Sequence, residues 1–109
     1  MNEVERFYEN PNVAHYDLTP HPAGGTHLRV AFENGWGVSV IRHQYSYGGR
    51  EGLFEIGILN EDGHIEYDNP VNGDGVIGWL TAQDVVAYMN VIASLSKREK
   101  AVEQSSEDV

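Results

Sequence analysis

Apolar and polar positions alternate along four runs of the chain, His27 to Phe32, Trp36 to His43, Leu53 to Leu59 and His64 to Tyr67. Each run is rich in Val, Ile, Phe, Tyr or Trp, and a period of two built from such residues predicts strands. Glu33-Asn34-Gly35 and Glu61-Asp62-Gly63 punctuate them as turns. The pattern predicts an α+β domain over residues 27–95, a four-stranded antiparallel β-meander with a C-terminal helix packed on one face.

The first turn sets the register of the first hairpin. With Glu33 and Asn34 in a type I turn and Gly35 in the left-handed position of a G1 bulge, Phe32 falls opposite Trp36, Val30 opposite Val38 and Leu28 opposite Val40. Every large apolar residue except Ile41 then lies on one face. A two-residue Asn34-Gly35 turn would set Phe32 against Gly37 and split the core, so the three-residue turn is expected. For the second pair, a two-residue Asp62-Gly63 turn sets Ile58 opposite Tyr67, whereas a three-residue turn that includes Glu61 pairs Leu59 with Ile65. Phe54, Ile56 and Ile58 form one stripe, with Leu53 and Leu59 on the other side. One face is therefore expected to pack the helix, and the other to be partly covered by the N-terminal arm or by the second subunit of a homodimer.

Thr81-Ala82-Gln83-Asp84 reads as a helix start, with the threonine hydroxyl accepting from the Asp84 amide and the carboxylate at the positive end of the helix dipole. Val85, Met89 and Ile92 then recur at helical spacing, with Tyr88 and Leu95 extending the stripe. The expected core is Leu28, Val30, Phe32, Val38, Val40, Phe54, Ile56, Ile58, Trp79, Val85, Met89 and Ile92. Residues 1–26 hold Pro11, Pro20, Pro22 and Gly24-Gly25 and are expected to form an irregular arm, with one helical turn at Glu3 to Tyr8 and a short strand at Val13 to Leu18 as local options. Residues 96–109 form a polar tail expected to be disordered.

Composition narrows the chemistry. The 109 residues fit one domain, and with no cysteine the chain has neither disulfides nor thiolate metal sites. No run approaches the ~18 apolar residues of a membrane span, and the acidic N-terminus is not a secretory signal, so a soluble cytoplasmic protein is expected. The net charge is −10, from 17 acidic and 7 basic residues. Such a surface repels phosphate backbones, which disfavours direct nucleic-acid binding, and favours encounter with basic protein surfaces.

Few residues are left to carry chemistry. His15, His21 and His27 stand six apart, which suits neither one helical face nor a strand step, and the best metal arrangement would pair His27 with His43 at the open end of the first hairpin. No metal or other cofactor is expected. Asp68 to Gly75 resembles a calcium loop only in composition, since Pro70 and Trp79 occupy ligand positions. Without a nucleophile elbow or a paired acid and base, no enzyme activity is expected. The conspicuous irregular stretch is Tyr45-Ser46-Tyr47-Gly48-Gly49-Arg50-Glu51-Gly52, whose glycines permit close backbone approach and whose tyrosines suit a contact surface. No Gly-Lys-Ser/Thr or helix start follows, so it is not a phosphate loop. The candidate binding set joins this loop to neighbouring charge: Tyr45, Tyr47, Gly48, Gly49, Arg50, Glu51, Glu55, Asp68 and Asp74.

The combination Asn34-Gly-Trp-Gly-Val-Ser-Val-Ile-Arg42, Tyr47-Gly-Gly-Arg-Glu-Gly-Leu-Phe-Glu55, Asp62-Gly63, Tyr67-Asp68 and Val76-Ile-Gly-Trp-Leu-Thr81 resembles small acidic accessory proteins of tailed bacteriophages, notably those of actinobacteria. The resemblance spans a little over half the chain. It departs in the Asp68 to Val76 segment, where related sequences carry more Thr and Asp. It implies a meander-plus-helix fold and a phage origin, and no reaction. Acting in the host cytoplasm, such a protein is expected to bind a basic host-protein surface and to inhibit a defence or nucleic-acid-processing system, as anti-CRISPR proteins do. A small-ligand or metal-binding module and a virion assembly factor are the competing classes.

Overall fold

The structure, a computed structural model, describes residues 3–97. It is an α+β fold with one antiparallel sheet of five strands, β1 (Val13–Pro20), β2 (Thr26–Phe32), β3 (Gly37–Arg42), β4 (Phe54–Leu59) and β5 (Val76–Leu80), in meander order. Helix α1 (Glu3–Tyr8) precedes the sheet and α2 (Ala82–Ala93) follows it. Among the described residues no helix is long and apolar enough to cross a membrane.

Five strands replace the expected four, for two local reasons. The N-terminal segment is not an irregular arm, since the helical turn and the strand expected as its local options both form: α1 covers one end of the core with Phe7, and β1 pairs with β2, with a register shift between Val13 and His15. The segment Ile65–Glu66 only starts a ladder with β4, through the Leu59–Ile65 bridge and the Glu66 N–H to Ile58 carbonyl bond. The chain then leaves the sheet and returns as β5. The excursion is held by asparagine side chains: Asn69 Oδ1 accepts from the amides of Val71 and Asn72, and Asn72 Oδ1 from that of Gly75. Such short side chains offer a loop backbone the partners it lacks outside a sheet.

One turn geometry recurs three times. At His21–Gly25, Phe32–Trp36 and Asn60–His64 the first residue donates to the fifth and the fourth donates back to the first, with Gly24, Gly35 or Gly63 left-handed in the fourth position. That is a type I turn closed by a G1 bulge, which glycine alone adopts without strain. Val30 therefore faces Val38 and Leu28 faces Val40, as the apolar pattern predicts. The three-residue option also holds at Asp62-Gly63.

These registers put Leu28, Val30, Phe32, Val38, Val40, Phe54, Ile56 and Ile58 on one face, where they bury against Phe7 and the Val85–Met89–Ile92 stripe of α2. Thr81 Oγ1 accepts from the Asp84 amide as expected, and the Asp84 carboxylate in return accepts from the Thr81 amide, which completes a capping box. Trp79 does not join this core and is 60% exposed, while its neighbour Leu80 is buried. Over β4 the opposite face is covered not by the N-terminal arm but by the β4–β5 connection, whose Ile65 lies against Gly57. The expectation of a disordered tail concerns residues that, from 98 onward, lie outside the described residues.

The far end of α2 is tied down by the first turn. Asn34 Nδ2 donates to the carbonyls of Ile92, Ala93 and Leu95, Asn34 Oδ1 accepts from the Trp36 amide, and the Trp36 indole donates to Ser96. A turn residue thus satisfies carbonyls that a helix end leaves orphaned. Asn34→Ala should cost about 1–3 kcal/mol in chemical denaturation. Asn34→Asp, which keeps the acceptor for Trp36 but loses the donor, should cost as much; equality with wild type would refute the capping role.

Candidate binding surface

After Arg42 the chain must cross from β3 to β4, and it does so in a chain of tight turns. Ser46 Oγ donates to the His43 carbonyl at 2.8 Å and accepts from the His43 amide, which buries the serine. A single 3₁₀ turn, Gly49–Glu51, follows between the left-handed Gly48 and Gly52. Local bonding of this density leaves the two tyrosines no space inside, and Tyr45 and Tyr47 are 69% and 62% exposed.

Trp79 joins them. The β4–β5 ladder pairs Phe54 with Leu80 and Ile56 with Ile77, so Gly78 and Trp79 together face Glu55 in a β-bulge. Trp79 takes φ 61°, the one left-handed non-glycine residue among those described. For a bulky aromatic residue this is a strained conformation worth about 1–3 kcal/mol. Its amide donates to the Tyr47 carbonyl at 3.1 Å, and the Tyr47 amide donates to Glu55 Oε1 at 2.9 Å. Glycine makes the approach feasible: a Cβ on Gly78 would sit 2.3 Å from Tyr47 Cβ, and one on Gly48 would sit 2.9 Å from Trp79 Cα. The loop, the bulge and the indole form one unit.

Beside it lies a chain of rings from three segments. The His21 and His43 imidazoles stack at 3.9 Å, His27 lies 6.0 Å from His21, and Tyr45 lies 6.3 Å from His43. Nδ1 of His21 accepts from the Ala23 amide and Nδ1 of His43 from the Tyr45 amide, which places the proton of each neutral ring on Nε2. His27 Nε2 meets Ser39 Oγ at 3.0 Å. Burial, aided by Arg29 and the other two imidazoles and opposed by Asp17, holds the His27 pKa below the ordinary histidine value. His27 and His43 are brought together as the sequence suggests, but their ring neighbour is a third imidazole. Among the described residues no group of three His, Asp or Glu is placed to hold a metal ion.

The sequence-predicted set divides between two places. Tyr45, Tyr47, Gly48, Gly49, Arg50, Glu51 and Glu55 belong to the loop and the start of β4, with Arg50 and Glu51 exposed and Arg50 donating to the Gln44 carbonyl. Asp68 and Asp74 are exposed in the β4–β5 connection, which enters at the Gly57–Val76 end of that ladder, opposite the Phe54–Leu80 end where Tyr47 and Trp79 meet. Trp79 and His21 are the residues that sequence reasoning missed. Gly78 in front of Trp79 was the available sign, since a glycine inside a strand marks a bulge or a close backbone approach.

Apart from this surface, a concavity of about 450 Å³ lies on the sheet face away from the helices. Its floor includes Ala31 and Gly37, and His15, Asp17, Arg29 and the Glu61–Gly63 turn line it. Searches against family models, curated proteins and solved structures find no match for this chain.

Proposed function

We propose that this chain is a non-catalytic binding protein that docks on a basic surface of another protein through Tyr45, Tyr47 and Trp79. The observation that carries the reading is Trp79, a strained and largely exposed indole held beside an exposed tyrosine. Strain in a backbone persists where surrounding structure imposes it, and it clusters at functional sites. Large rigid rings supply contact area at low entropic cost and dominate binding hot spots. Glu51 and Glu55 flank the rings, and the net charge of −10 supplies a field that attracts cationic partners. The class of partner comes from the resemblance to small acidic phage proteins: a host protein of a defence or nucleic-acid-processing system, met in the host cytoplasm.

The test is capture of a partner from host lysate followed by association and dissociation rates at two salt concentrations. Replacing Tyr45 and Tyr47 by alanine should speed dissociation and cost on the order of 2 kcal/mol. Reversing Glu51 should chiefly slow association and flatten its salt dependence, whereas reversing Glu55 would also remove the acceptor of the Tyr47 amide. Silence of the tyrosine pair would place the site elsewhere. A second reading, a small-ligand site in the groove at His15, Asp17 and Arg29, is favoured by the volume of that groove; a neutral ligand there would bind with little response to salt.

A further inference from the structure

The two outer strands of the sheet are unlike each other. β5 has five residues, and its Trp79 amide is already taken by the Tyr47 carbonyl, so bulge and loop blunt that edge. Among the described residues β1 is the longest strand, with eight residues, and pairs only with β2. The turn at its end tells which way its backbone points. His21 donates to Gly25 across the hairpin, and Thr19, Asp17 and His15 follow in the same alternating set opposite His27, Arg29 and Ala31. The odd-numbered residues therefore bond to β2, and the amide and carbonyl groups of Tyr16 and Leu18 point to the free edge. Pro20 falls in the outward set, where its missing N–H costs no ladder bond. Tyr16 and Leu18 are also 49% and 43% exposed on the helix-bearing side.

We propose that β1 is a self-association edge, and that two copies of this chain join their β1 strands antiparallel about a twofold axis at Tyr16, making one continuous sheet from two five-stranded ones. Charge selects the register. A twofold axis normal to the sheet pairs residues of equal parity, so the candidate centres are adjacent positions of the strand. Centring on Asp17 sets the two Asp17 carboxylates opposite each other, which is unfavourable. Centring on Leu18 sets Tyr16 opposite Pro20, which cannot donate. Centring on Tyr16 lets the two Tyr16 residues exchange backbone bonds, sets their rings, each stacked on Tyr8 of its own chain at 4.4 Å, next to each other, and places each Asp17 opposite His15 of the second copy, where the imidazole N–H donates to the carboxylate. The Tyr47–Trp79 surface lies four strand spacings away, about 19 Å, so a dimer would present two such surfaces without occluding either.

Sedimentation of the full-length chain over a concentration series reads the proposal directly. Wild type should show a monomer–dimer equilibrium. His15→Asp places like charges in both symmetry-related pairs and should weaken dimerisation about tenfold. His15→Asp combined with Asp17→His restores opposite partners in this register alone and should recover most of that loss. Near-UV circular dichroism confirms that each variant is folded. A chain that stays monomeric throughout, or a dimer indifferent to His15→Asp, overturns the proposal.

Discussion

Phe54→Ala is expected to cost about 3–5 kcal/mol, the range for removing a fully buried phenylalanine ring. Phe54 is 1% exposed and opens β4 where four elements converge. Phe7 of α1 meets its ring edge-on at 5.1 Å, and the Arg42 guanidinium stacks 4.3 Å above it. Arg42 in turn bonds Glu3 of α1 at 2.8 Å and the Gly52 carbonyl. Truncation would leave a cavity beneath α1 and remove the surface on which the guanidinium rests, so α1 should loosen together with the core. Domains of this size have about 5–15 kcal/mol in total, and the variant should lie near the limit of folding. Denaturant unfolding checks the figure. A loss under about 1 kcal/mol would mean that the site collapses freely and that the packing described for it is wrong.

How much of this was legible in the sequence depends on whether the deciding interaction is local. Gly35 could be assigned because only one turn length put Phe32, Val30, Leu28, Val38 and Val40 on a single face, and all five are buried there. The same turn at His21–Gly25 was hidden: Pro20, Pro22 and two glycines look like breakers, yet Pro20 occupies a position where no ladder bond is needed. β5 was hidden for the opposite reason. Val76-Ile-Gly-Trp-Leu80 reads as one apolar run, and the bulge at Gly78-Trp79 breaks the period of two, so Ile77 and Leu80 both face the helices while Trp79 does not. Counting Trp79 as core followed from its composition, and its φ of 61° is imposed by the pairing on either side of it. At the candidate surface, the exposure of Tyr45 and Tyr47 followed from glycines next to them in the chain. The addition of Trp79 and His21, and the separation of Asp68 and Asp74 from the rings, depend on how distant segments meet.

Trp79→Gly should separate stability from function. Glycine relieves the left-handed conformation, a gain of about 1–2 kcal/mol, set against the packing of an indole that is only partly buried. The two nearly cancel, and the unfolding free energy should stay within about 1 kcal/mol of wild type or rise. A tryptophan kept for structural reasons would show the reverse, a marked loss of stability. Binding should instead fall by about 2 kcal/mol or more, some thirtyfold in dissociation constant, because the largest anchor of the surface is gone. Stability that does not suffer when a strained residue is removed, with activity that does, is the expected mark of a functional site.

The most direct test of the proposed surface is therefore the dissociation constant of Trp79→Gly for the captured partner, measured beside its unfolding free energy under the same conditions. The binding role of Trp79 predicts at least a thirtyfold weaker complex formed by an equally stable protein. Unchanged affinity, or affinity lost only in step with stability, would contradict it.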